Sequence, residues 1–96
     1  MIPAPILPLI RRAILDLLND IGGEQSDDYI EVLLSGLGHR VARRDIAVEL
    51  VWLAGEKLVE VADVGPYKVA RILADGRSLA EGRLNVEGVW RHKTGD

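Results

Sequence analysis

Ile46-Ala47-Val48-Glu49-Leu50-Val51-Trp52-Leu53-Ala54-Gly55-Glu56-Lys57-Leu58-Val59-Glu60-Val61-Ala62-Asp63-Val64 is the stretch that decides the fold. Ile46, Leu50 and Leu53 recur at the spacing of one helical face with Trp52 on its flank, so a helix is expected from Arg43 to about Gly55. Then the period changes. Leu58 to Val64 alternates at two, the pattern of a strand with one face covered. Gly65-Pro66 turns the chain, and Tyr67-Lys68-Val69-Ala70-Arg71-Ile72-Leu73 reads as the returning strand. A helix that passes through Gly55-Glu56-Lys57 directly into a hairpin is far more restrictive than a helical pattern alone.

Upstream, Pro8 suits the first position of a helix that runs to about Ile21, where Gly22-Gly23 stops it. Its apolar stripe of Ile10, Ile14, Leu17 and Ile21 is widened by Leu9, Ala13, Leu15 and Leu18, more than one buried face requires. The surplus has two readings, a dimer seam or a helix well covered by its own neighbours. Ser26-Asp27-Asp28 opens a second helix with a capping oxygen and two acids in the first turn. Tyr29, Ile30, Leu33, Leu34 and Leu37 give that helix its apolar face, and it ends at Ser35-Gly36-Leu37-Gly38. His39-Arg40-Val41 is a short extended link to the third helix. The tail carries a short fourth helix around Leu79, Ala80 and Leu84, and ends in polar residues from Arg91.

The order helix, helix, short link, helix, hairpin implies an α+β chain, mostly helical. It is the order of a winged helix-turn-helix with three helices, a two-stranded β wing and a short C-terminal helix. Ninety-six residues bury one core, so a single domain over 1–96 is expected, with 1–7 and 88–96 as candidate flexible ends. Apolar residues at 48% exclude a disordered tail. The absence of cysteine excludes disulfides, thiolate metal sites and a cysteine nucleophile. Three prolines break the apolar opening Met1 to Pro8, which has no basic residues ahead of it and does not read as a signal peptide. No apolar run approaches the roughly 20 residues that span a bilayer. The expected location is the cytoplasm.

Net charge is −3, so a nucleic-acid partner requires the bases to be gathered on one surface. Residues 1–38 carry two arginines against six acids, residues 39–57 four bases against three, and residues 58–96 six against six. Only the middle segment is positive. Arg40, Arg43 and Arg44 cluster at the start of the third helix, where the dipole and free N–H groups already favour an anion. Either a phosphate meets them, or they pair with Asp45, Glu49 or the acidic start of the second helix. Lys68 and Arg71 lie on the returning strand, where they read as solvated strand charges or as phosphate contacts that Glu60 and Asp63 would oppose. His39 and His92 are too far apart in sequence to suggest a metal site without added carboxylates. Trp52 reads as a half-buried packing residue, and Trp90 as an indole that folds back on the first helix or docks on a partner. No nucleophile and base pair or glycine-rich phosphate loop can be picked out, so neither an enzyme nor a cofactor is expected.

Asp45 to Val59 resembles the segment from recognition helix to wing of the ArsR and MarR types of bacterial regulator. Leu15-Leu17-Leu18-Asn19, Gly36-Leu37-Gly38-His39-Arg40-Val41, Ala80-Glu81-Gly82-Arg83 and Val86-Glu87-Gly88-Val89 resemble, over most of the chain, small winged-helix proteins of Mu-like transposable phages, usually labelled ArsR-like. The sequence departs from these patterns at several points. Ala47, Val48 and Val51 stand where polar or basic groups commonly face outward, Ala42 stands where similar proteins place a serine, and the metal-sensing thiols are missing.

The function implied is that of a DNA-binding regulator in a phage or prophage. Arg40, Arg43 and Arg44 would hold phosphates, Ala47, Val48 and Val51 would enter the major groove, and Tyr67 and Lys68 would serve the wing. Double-stranded DNA is the expected partner, with a homodimer through the first helix matching a palindromic site. The rival is a host or phage protein docked on the apolar face of the third helix, which would make the chain an adaptor that leaves DNA alone.

Overall fold

The computed structural model describes residues 1–94. After a 3-10 turn at Ala4–Ile6 come α1 (Leu7–Ile21), β1 (Glu24–Ser26), α2 (Asp27–Gly36), α3 (Arg43–Gly55), β2 (Val59–Val64), β3 (Tyr67–Ile72) and α4 (Ala74–Ala80). The three strands form one antiparallel sheet in the order β1, β3, β2. The chain is thus an α+β protein, with four α-helices and a three-stranded sheet among the described residues.

The expectation of two strands is corrected by β1. Gly22 and Gly23, at φ 76° and 67°, take the left-handed conformation that glycine enters without a side-chain clash, and they turn the chain off α1. The next three residues then pair with the open edge of β3, Glu24 opposite Arg71, Gln25 opposite Ala70 and Ser26 opposite Val69. The Gln25 amide donates back to the Gly22 carbonyl at 2.9 Å, which holds the corner. Ser26 is the residue before α2, as expected, but no side-chain bond caps the helix. Its hydroxyl donates to Asp28 instead.

α1 runs through the middle of the core. Ile10, Ala13, Ile14, Leu15 and Leu18 are sealed by Ile30 and Leu34 of α2, Ile46, Leu50 and Leu53 of α3, the sheet residues Val59, Ala70 and Ile72, Leu58 just ahead of β2, and Leu79 of α4. Each such fully buried leucine or isoleucine stabilises the fold by about 1.5–3 kcal/mol relative to exposure. Leu84, Val86 and Val89, from the segment after α4, close over the same core. The chain itself thus covers Ile10, Ala13, Ile14, Leu15 and Leu18, while Leu9 and Leu17 are half-buried and Ile21 is 45% exposed.

Hydrogen bonds tie the C-terminal segment to α1. The Trp90 N–H donates to the Pro8 carbonyl at 3.0 Å. Arg12 donates to the carbonyls of Trp90 and Ala80 at 3.2 and 3.0 Å. The Trp90 backbone thus folds back on α1, while the residue remains 48% exposed. Leu84 lies beyond the last turn of α4, which stops at Ala80 ahead of Gly82 at φ 83°.

α2, α3 and α4 end in the same way. Two backbone N–H groups beyond each helix fold back onto its last carbonyls: Gly38 to Ser35 and His39 to Leu34, Lys57 to Ala54 and Leu58 to Leu53, Gly82 to Leu79 and Arg83 to Ser78. This closure puts one residue in the left-handed region, which is Gly38 and Gly82 at two ends but Lys57, at φ 63°, after α3. The tight end of α3 delivers the chain into β2 within a few residues. Among the described residues no helix is long and apolar enough to cross a membrane.

Candidate nucleic-acid interface

α3 starts where the sequence places it, with Ala42 in extended backbone at φ −66° and ψ 146° ahead of the first turn. Alanine has no oxygen to offer, so no side chain caps the helix. Arg40 and Arg44 are exposed there and Arg43 is half-buried. The carboxylates expected as their partners are engaged elsewhere. Asp45 faces the amino group of Met1 at 3.3 Å, and Glu49 accepts from Arg11 Nε at 2.7 Å. Among the described residues Arg40, Arg43 and Arg44 have no carboxylate within ion-pair distance.

The first turn of α2 sets a further acidic group beside Arg43. The Ser26 hydroxyl donates to Asp28 and holds that carboxyl below its ordinary range, with the Tyr29 and Asp28 N–H groups and the positive charge of Arg43 acting in the same direction. Asp28 is therefore ionised at neutral pH and softens the potential beside Arg43 without forming an ion pair with it.

The hairpin brings Tyr67 to the same place. The Arg43 guanidinium carbon sits 5.2 Å from the centre of the Tyr67 ring, a cation over an aromatic face. Gly65 leads the two-residue turn at φ 58°, the left-handed first position that a tight hairpin favours. That turn fixes Asp63 opposite Lys68 and Glu60 opposite Arg71. The paired charges meet, Lys68 Nζ at 2.5 Å from Asp63 and Arg71 at 2.8 Å from Glu60. The hairpin thus offers Tyr67 and an apolar tip near Val64, and its two cations are matched by two carboxylates.

Along α3 the outward row at helical spacing is Arg44, Val48 and Val51. Val48 is 62% and Val51 52% exposed. Ala47 is half-buried, on the flank that Arg43 shares. The structure thus places Arg43 against Tyr67 and leaves Arg44, Val48 and Val51 exposed, while Lys68 is drawn off into its pair with Asp63.

The opposite flank of α3 holds a cluster that the sequence did not reveal. The Arg11 guanidinium lies 3.8 Å from the centre of the Trp52 ring and donates to the Gly88 carbonyl as well as to Glu49. Gly88, at φ 95°, presses so close that a Cβ there would sit 2.9 Å from the indole. Arg11 and Trp52 therefore serve to pack α1, α3 and the C-terminal segment together.

These features describe a small α+β protein that leaves an arginine-bearing helix end in solvent. The chain is 33% identical over 81 residues, 84% of either chain, to the uncharacterized protein gp26 of Escherichia phage Mu. It belongs to the family of that phage protein, and the likeness to proteins of Mu-like phages stands on this relative. No family model matches the chain, and no solved structure does. The resemblance of Asp45 to Val59 to ArsR and MarR regulators is carried by those residues alone.

Proposed function

We propose that this chain is a winged helix-turn-helix protein that binds double-stranded DNA and regulates transcription in a Mu-like phage or prophage. The observation that carries the reading lies at the start of α3: among the described residues Arg40, Arg43 and Arg44 have no carboxylate within ion-pair distance, while Asp45 and Glu49 face Met1 and Arg11. Cations at a helix N-terminus oppose the dipole and cost a few tenths of a kcal/mol each. Phosphates offset that cost, since they bind both the guanidinium groups and the free N–H groups of the first turn. In this reading the three arginines set the protein on the backbone, Ala47, Val48 and Val51 face the major groove, and Tyr67 at the hairpin lies against the flanking strand. Lys68 contributes little, because Asp63 already meets its charge.

The test is binding of the purified chain to duplex DNA at two or more salt concentrations. Three phosphate contacts give a slope of about −2.7 in log affinity against log salt. A second reading, an adaptor that docks a host or phage protein, is favoured by the exposure of Val48 and Val51. It calls for retention on a protein partner that salt leaves unchanged and for no affinity toward the duplex.

A further inference from the structure

We infer, on the DNA-binding reading above, that α3 selects its sites through the C5-methyl groups of thymine, with Val48 and Val51 as the residues that read them. The outward row of α3 runs Arg44, Val48, Val51 at spacings of four and three residues, which places the three on one face. Within that row only Arg44 can hydrogen-bond a base edge. The valines, at 62% and 52% exposure, carry methyl groups and nothing else beyond Cβ. In the major groove, adenine, guanine and cytosine present donors and acceptors, and an apolar side chain facing them would strip water from polar atoms without replacing it. Thymine alone presents a methyl group there. A valine pair is therefore matched to thymine and mismatched to the other three bases.

The neighbours of the row sharpen the assignment. Ala47, on the Arg43 flank, is short enough to let the groove wall approach. On the other flank Glu49 is buried against Arg11 and Asp45 faces the amino group of Met1. Val48 and Val51 are β-branched, so a helix leaves each of them close to a single rotamer and their methyl groups are held in fixed positions. The site reads shape and apolar contact at two positions and leaves affinity to the arginines.

The experiment starts from a random duplex pool passed repeatedly over the full chain. The enriched duplexes are then synthesised once with thymine and once with uracil, which differs only by the lost methyl. Two methyl contacts predict binding about tenfold weaker to the uracil duplexes at the same salt concentration, with the slope against salt unchanged. In a protein carrying Val48→Ala and Val51→Ala the difference between thymine and uracil disappears while salt-dependent binding persists. Both sites are exposed and alanine is the better helix former, so the double variant keeps the fold. Equal affinity of the native chain for the two duplexes overturns the inference and leaves DNA binding standing. Failure to bind either duplex at low salt overturns both and assigns the valine face to a protein contact.

Discussion

Arg12 and Asp16 meet at 2.8 Å one turn apart on α1, with both side chains almost wholly buried. Arg12 also holds the carbonyls of Ala80 and Trp90, and the second oxygen of Asp16 accepts the N–H and the hydroxyl of Thr94 at 2.7 and 2.9 Å. Arg12 and Asp16, buried one turn apart on α1, thus fasten the segment after α4 over the core.

Asp16→Asn removes one charge and leaves the other buried. Breaking a buried pair in this way costs about 3–5 kcal/mol, because Arg12 keeps its desolvation cost and loses its counter-ion. Urea denaturation should show that loss, and trypsin should cut faster at Arg91 and Lys93. A change below about 1 kcal/mol would mean that water already screens the pair.

Gly76 predicts an equally sharp effect from a single methyl. A Cβ there would clash with the Leu58 carbonyl oxygen and lie 2.7 Å from Ile72 Cγ1. Alanine would otherwise favour the helix by about 1 kcal/mol. Overpacking against a backbone carbonyl reverses the sign, so Gly76→Ala should cost about 2–3 kcal/mol by chemical denaturation. A gain in stability would show that α4 can shift away from Leu58.

Lys57 stands where the other two helix ends use glycine. Lys57→Gly should stabilise the fold by about 0.5–1 kcal/mol, the left-handed cost of a side chain less the glycine's extra freedom in the unfolded chain. Gly38→Ala, at φ 92°, should move stability the other way. Equal effects of both substitutions would refute the shared closing geometry.

Ala42→Ser tests the other end of α3. The backbone at Ala42 is already extended, so a serine oxygen there can accept a free N–H of the first turn and add about 0.5–1 kcal/mol. Asp45 is turned toward Met1 and supplies no reciprocal bond, which keeps the gain to that of a single cap. No gain in melting temperature would place the start of the helix elsewhere.

The residues differ in how openly they state their roles. α3 and the hairpin are legible because the apolar period changes once, at Leu58, and Gly65-Pro66 marks the turn. β1 is not, since Glu24-Gln25-Ser26 has no alternation and becomes a strand only because β3 offers it an edge. Nothing in the sequence around Arg11 and Arg12 marks where their charges go. Their partners include Gly88 and Trp90, more than seventy residues away, and no local pattern carries that. The pairing of Lys68 with Asp63 was within reach, because a two-residue turn at Gly65-Pro66 fixes the register and puts the two charges opposite each other.

Arg43→Ala combined with Arg44→Ala separates a binding role from a structural one. Both arginines oppose the dipole of α3, so their removal returns a few tenths of a kcal/mol each. Arg43 also gives up its place 5.2 Å over the Tyr67 ring, a contact of about 0.5–1 kcal/mol at a partly exposed site. The two terms nearly cancel, and urea denaturation should register a change within about 0.5 kcal/mol of zero. Binding has no such compensation. Loss of two phosphate contacts should weaken affinity alike for all duplexes and flatten the salt slope by about two units. Tyr67→Leu, which removes the ring and keeps both charges, should leave that slope where it is. A double variant that binds DNA as the native chain does would transfer the proposal to a protein partner, and one that unfolds would show that the arginines hold α3 against the hairpin.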